Sequence, residues 1–127
     1  MITNIKPYKV LVVDDDPVIR DMMGDIFELE GYTIEVARNG REALEKLRGK
    51  GSYLVFLDLM MPVVSGQEVC EQLSTDPQVR NRHVIILMSA LDNLAQATLL
   101  KVDAIMPKPF VVEDVVRVIQ PYIALGL

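Results

Sequence analysis

The chain has 127 residues, half of them hydrophobic, a formal net charge of −5 and one cysteine, Cys70. That is enough chain for one buried core, and the hydrophobic share excludes a disordered segment. The acidic balance argues against direct binding of nucleic acid, which needs a basic face. No apolar run reaches the roughly 18 residues of a membrane span, and a lone cysteine allows no internal disulfide, which fits a reducing, cytoplasmic setting.

The first strand is expected at residues 8–13, an apolar run ending on Asp14, Asp15 and Asp16. Pro17 then suits the first position of a helix and Asp16 its N-cap. Ile19, Met22, Met23, Ile26 and Phe27 form one apolar helical face, and Gly31 ends the element. Residues 32–37 alternate enough to predict a second, less buried strand. Asn39, with Glu42 three residues on, predicts a helix start with a capping box; Ala43, Leu44 and Leu47 face its core, and Gly49 and Gly51 end it.

Residues 53–58 are the most informative stretch: five apolar residues in a row, then Asp58. A run this short and this apolar predicts a strand buried on both faces, as in a parallel sheet. Asp58 then lies at the C-terminal strand end, where open α/β sheets place their ligand crevices. Pro62 disfavours helix at Met61, so a loop follows. Ser65 and Glu68 predict a second capping box, opening a helix with Val69 and Leu73 inward and Cys70 beside them as a small core residue. Asp76 and Pro77 open a connection.

Residues 83–88 predict a fourth strand ending on Ser89, with the single histidine, His83, at the opposite end from the acids and read as structural. Asp92 can cap a fourth helix over roughly 93–101, with Leu91, Leu94, Ala95, Thr98 and Val102 as its stripe. The uncharged stretch 93–100 suggests a partner surface. Residues 103–106 predict a short fifth strand, followed by Lys108 and Pro109. A last helix from about Val111 carries Val112, Val115, Val116 and Ile119, and Pro121 stops it at Gln120.

Five strand-helix alternations predict a doubly wound α/β fold, a parallel sheet with helices on both faces. Right-handed crossovers place all C-terminal strand ends on one edge, so Asp14, Asp15, Asp58, Ser89 and Lys108 can meet there. Carboxylates ~5 Å apart repel by about 3 kcal/mol at an effective dielectric of about 20, so three together call for a cation. A hard divalent ion such as Mg²⁺ suits oxygen ligands and shares phosphate oxygens. Lys108 supplies a charge, and Ser89 a hydroxyl, for the same phosphate. An acceptor carboxylate, a metal-holding pair, a hydroxyl and a lysine are what forming an acyl phosphate on Asp58 requires. The acids at 14–16 replace the glycine-rich turn of a dinucleotide-binding fold and exclude that reading. No linker divides the chain, so residues 1–127 are expected to form one domain with its core at about 8–120. The start of the chain, with Lys6 and Lys9 and no apolar h-region, is expected to carry no secretory signal, and with no effector domain after Leu127 in the sequence given, the expectation is either a free-standing domain or a piece of a longer chain.

These segments (Val-Val-Asp-Asp-Asp-Pro at 12–17, Leu-Asp-Leu-Met-Met-Pro at 57–62 with Gly66, Met-Ser-Ala at 88–90, Lys-Pro-Phe at 108–110) resemble the receiver domains of two-component response regulators. The resemblance runs from about Val10 to Ile119. It implies a flavodoxin-like five-stranded sheet of order 2-1-3-4-5, with Asp58 as phosphoacceptor. It further implies metal binding (Mg²⁺ or Mn²⁺) by Asp14, Asp15, Asp58 and the Met60 carbonyl, Ser89 as switch hydroxyl, Lys108 as phosphate sensor and a cis Lys108–Pro109 bond. The implied function is signalling in a phosphorelay, catalytic only toward itself. The donor would be a sensor histidine kinase or histidine phosphotransfer protein. The output would be a downstream protein or effector domain, or a homodimer through the fourth helix, fifth strand and fifth helix. Two positions depart from the family: Ser65 stands where an aspartate is usual, and Ile105 where an aromatic switch residue is common. Two other readings compete. Asp14 and Asp16 match the Asp-x-Asp-x-Val pattern of haloacid-dehalogenase-like phosphatases, and a receiver-like scaffold could act without phosphorylation.

Overall fold

The computed structural model describes residues 8–123; the expectations for the segment around Lys6 and for the chain end at Leu127 lie outside it. Strands β1 (Lys9–Val13), β2 (Ile34–Ala37), β3 (Tyr53–Asp58), β4 (Val84–Ala90) and β5 (Ala104–Lys108) form one parallel sheet in the order β2-β1-β3-β4-β5. The helices are α1 (Pro17–Glu28), α2 (Gly40–Arg48), α3 (Gly66–Ser74), α4 (Pro77–Arg80), α5 (Leu94–Ala97) and α6 (Val112–Ile119). No helix among the described residues is long and apolar enough to cross a membrane.

Side chains alternate across a strand, so each central strand feeds two cores. Val10, Val12, Leu54, Phe56, Ile86 and Met88 pack with Met23, Ile26 and Phe27 of α1 and with Val115 and Ile119 of α6. Leu11, Val13, Val55, Leu57, Ile85 and Leu87 pack on the other face with Ala43, Leu44 and Leu47 of α2, Val69 and Leu73 of α3 and Ala97 of α5. All six residues of β3 are buried, which is why that stretch reads as unbroken apolar sequence. The register Val13↔Leu57, Asp58↔Met88 and Ala90↔Lys108 brings the C-terminal strand ends level.

The helix starts follow the capping logic. Asp16 accepts from the Val18 N–H, and Ser65 and Glu68 form a full capping box. Asn39 accepts from the Glu42 N–H, but the Glu42 carboxylate turns to the N–H and guanidinium of Arg38, so this box is only half formed.

Several boundaries differ from the sequence reading. β2 begins at Ile34 rather than 32, because Tyr32 leaves the sheet to meet Phe27 edge to face at 6.1 Å. The connection at Asp76 contains a helical turn, α4, with Asp76 as its cap. The fourth predicted helix shrinks to a 3₁₀ turn at Leu91–Asn93 followed by the four residues of α5. No side-chain hydrogen bond caps either turn, and the switch from 3₁₀ to α breaks the 3.6 period on which the stripe was drawn. Ala97, Leu100 and Val102 therefore pack inward, while Leu91, Ala95 and Thr98 are exposed. β5 runs through Pro107 to Lys108, as an edge strand permits. The last helix starts at Val112 and ends before Pro121, and the Lys108–Pro109 bond is cis.

His83 is buried, and both ring nitrogens serve the fold. Nδ1 accepts from the Tyr53 N–H at 3.0 Å and Nε2 bonds the Leu47 carbonyl at 2.8 Å. Burial holds its pKa below the ordinary 6.5. Burial pushes the Cys70 thiol up to about 11, which leaves it an inert core group.

Candidate functional site

Four strand ends build the site. β1 delivers Asp14, which is 1% exposed. Its N–H donates to the Ala37 carbonyl, its Oδ1 accepts from the Asp16 N–H at 3.0 Å, and its carbonyl accepts from the Arg20 guanidinium at 2.8 Å. The Asp14 backbone is thus pinned at its N–H and its carbonyl, and its carboxylate at Oδ1. Asp15, the next residue, is exposed. β3 delivers Asp58 as its last residue, 7% exposed. Carboxylate oxygens of Asp14, Asp15 and Asp58 lie within 4.8 Å of one another.

β5 delivers Lys108, whose Nζ is 2.8 Å from Asp14 Oδ2 and 3.4 Å from Asp58 Oδ1. One ammonium therefore pairs with two of the three clustered carboxylates. Burial and then the charge of Asp14 push Asp58 up to about 6, against the opposing pull of Lys108 and of the Met60 N–H bonded to it. Burial disfavours the charge on Lys108, yet its bond to Asp14 and the charges of Asp58 and Asp14 hold its pKa above 10.5. β4 delivers Ser89, 1% exposed, whose hydroxyl donates to the Ala90 carbonyl at 3.1 Å. Asp14, Asp15, Asp58 and Lys108 thus come together in space, and Ser89 lies on the strand between β3 and β5. Met60 touches the cluster through its N–H, and its side chain points outward at 59% exposure. The donor set, oxygen-only and under-compensated in charge, fits a hard divalent cation.

Sequence reasoning missed what three residues around the site do, although Gly66 was already part of the motif. Arg20 clamps the Asp14 carbonyl from the first turn of α1, and a lone arginine in a helix carries no signal of that. A Cβ on Gly66 would collide with the Asp58 carbonyl oxygen and lie 2.9 Å from Leu59 Cα, so only glycine lets α3 start so close to the site. Val63, in the loop after β3, has φ +71, a left-handed conformation that is rare for a β-branched residue. A groove of about 750 Å³ between α3, α4 and residues 99–103 lies away from the acids and holds none of the predicted site residues.

The model of the response regulator receiver domain matches residues 10–120. The response regulator MprA of Mycolicibacterium vanbaalenii is 36% identical over 112 residues, which cover 85% of this chain and 47% of that protein. The chain thus spans about half the length of the curated relatives it matches. The receiver domain of the Francisella response regulator 1452 is 32% identical, with a TM-score of 0.77 over 91% of this chain and 96% of that one. The receiver domain of a Pseudomonas aeruginosa sensor histidine kinase, solved with magnesium in its active-site cleft, shares the fold. It is 19% identical, with a TM-score of 0.80 over 91% of this chain and 96% of that one.

Proposed function

The chain belongs to the response regulator receiver domain family, the signalling modules of two-component phosphorelays, and from that premise we propose that Asp58 is its phosphoacceptor. The donor is a phosphohistidine on a sensor histidine kinase or histidine phosphotransfer protein. The observation that carries the reading is the meeting of Lys108 Nζ with both Asp14 and Asp58 in an acid cluster built from separate strand ends.

A carboxylate oxygen of Asp58 attacks phosphorus as the P–N bond to the donor imidazole breaks, and the imidazole leaves with the electron pair. Asp14, Asp15 and Asp58, with the Met60 carbonyl, would hold Mg²⁺ or Mn²⁺; when bound, the cation neutralises charge on the transferred group. Lys108 gives up its bond to Asp58 and pairs with a phosphoryl oxygen. Ser89 turns its hydroxyl from the Ala90 carbonyl to another. Slow attack of water on the acyl phosphate returns the free carboxylate, so the chemistry is directed at the protein itself.

Ile105 is half-buried against the core beside α5 and has no ring to swing. The change is therefore read through the backbone: Ser89 pairs with Pro107 and Ala90 with Lys108 across β4 and β5. The output face comprises α5, the turn after it, where Leu99 is 83% exposed, β5 and α6, and it meets a downstream protein, an effector domain or a second copy. Leu99→Glu probes that face, since Leu100 packs on the core.

The phosphatase reading is set aside. Its acid/base would be Asp16, whose carboxylate is engaged in capping α1, and it leaves Asp58 unused. The decisive experiment is incubation with Mg²⁺ and phosphoramidate. One phosphoryl group is expected by intact mass, absent in EDTA and in Asp58→Asn. Full labelling of Asp58→Asn would refute the assignment. Wild type that never labels would leave the phosphorylation-independent scaffold.

A further inference from the structure

The three clustered carboxylates are not held alike. Asp14 Oδ1 accepts from the Asp16 N–H at 3.0 Å, and Oδ2 from the Lys108 ammonium at 2.8 Å. Asp58 pairs with Lys108 at 3.4 Å and accepts from the Met60 N–H. The Asp15 carboxylate is exposed and has no such partner among the described residues. An oxygen of it nevertheless lies within 4.8 Å of the other two acids. Its direction is therefore set by its backbone.

One residue clasps that backbone on both sides. The Arg20 N–H donates to the Asp16 carbonyl at 3.2 Å, the ordinary first bond of α1. The Arg20 guanidinium reaches back to the Asp14 carbonyl at 2.8 Å, just past the end of β1. This second bond fixes the peptide plane between Asp14 and Asp15, and with it the direction in which the Asp15 side chain leaves. A helix-surface arginine commonly pairs with an acid one turn back, here Asp16. Asp16 instead caps the Val18 N–H, and Arg20 makes no ion pair among the described residues. We propose that Arg20 is a positioning residue for the metal site: by holding the Asp14 carbonyl it keeps Asp15 turned toward Asp14 and Asp58, and so raises affinity for a divalent cation. This rests on the reading of those three acids as the cation's holders. A guanidinium beside such a site has two opposite effects. Its charge opposes a second cation, whereas its bond holds a ligand in place. The sign of the change on removing it tells which one dominates.

The test is Mn²⁺ binding, read from the electron paramagnetic resonance signal of the free ion, with Mg²⁺ as competitor. Arg20→Met removes charge and donor together and is expected to weaken binding about tenfold, the scale usual for a group that orients a metal ligand. In an Asp15→Asn background no carboxylate remains to be aimed, so the same substitution should weaken binding by no more than about twofold further. Tighter or unchanged binding in Arg20→Met would reduce Arg20 to a charge or an anchor of α1 and overturn the proposal. So would a full tenfold loss in the Asp15→Asn background, since Arg20 would then act through another group. Melts in EDTA check that each variant folds. Arg20→Lys, which keeps the charge without the planar fork, takes the place of Arg20→Met in the same cycle if the latter does not fold. Wild type that binds no Mn²⁺ would instead strike the cation reading itself, and the proposal with it.

Discussion

Removing the Asp58 charge should stabilise the metal-free protein. Folding moves this carboxyl from 3.8 to about 6, through burial first and the charge of Asp14 second. At about 1.4 kcal/mol per pH unit, keeping it ionised in the fold costs about 3 kcal/mol near pH 7. Asp58→Asn removes that cost and keeps an oxygen for the Met60 N–H. It forfeits the 3.4 Å pair with Lys108, which retains Asp14 at 2.8 Å. The net gain is about 1–3 kcal/mol. With an unfolding entropy of about 2.1 cal/mol/K per residue, the melting temperature rises by about 4–11 °C. The sign with pH follows from the raised value. Between 3.8 and about 6 the folded state binds more protons than the unfolded one, so the penalty is complete above this window and vanishes below it. Thermal melts followed by circular dichroism in EDTA, at about pH 7 and about pH 4, read the gap between variant and wild type. Saturating Mg²⁺ at pH 7 should narrow the gap by stabilising wild type. A variant no more stable than wild type in EDTA, or a gap that persists at low pH, would refute the reasoning.

Three further outcomes are expected. Lys108→Met leaves three clustered carboxylates without their cation, so urea unfolding in EDTA should show a loss of about 1–3 kcal/mol, partly restored by Mg²⁺. His83 is held below its ordinary 6.5, chiefly by burial, so the unfolded state binds the extra proton and stability declines as pH falls through that value. Measured in the Asp58→Asn background, where the opposing carboxyl is gone, this slope should flatten in His83→Gln. Gly66→Ala drives a methyl group into the Asp58 carbonyl, and chemical denaturation should show a loss of at least about 3 kcal/mol.

The sheet and its two helical layers were legible in the chain because the signals are local. The unbroken apolar runs ending at Val13, Asp58 and Met88 can be satisfied only by strands buried on both faces. Caps at Asp16, Asn39 and Ser65 mark helix starts within a few residues of sequence. The reading failed where a short element lacks such signals: the helix expected over 93–101 carries no cap and changes helical type at Leu94, so its inward face was misplaced. The strand order came from resemblance to a family, since periodicity does not name a strand's neighbours.

The candidate residues Asp14, Asp15, Asp58, Ser89 and Lys108 were likewise visible in sequence, as polar groups ending apolar strands. Their state was not. Lys108 lies 94 residues from the Asp14 it binds, and the Arg20 clamp and the closeness of Gly66 to Asp58 depend on how separate elements pack. The displaced titration of Asp58 needs both its burial and its neighbour's charge. Local pattern determined which residues stand at the strand ends, because backbone preference and burial act over a few residues. Distances, charge balance and the strained turn at Val63 arise only when distant segments are pressed into one volume, and tertiary structure alone decided them.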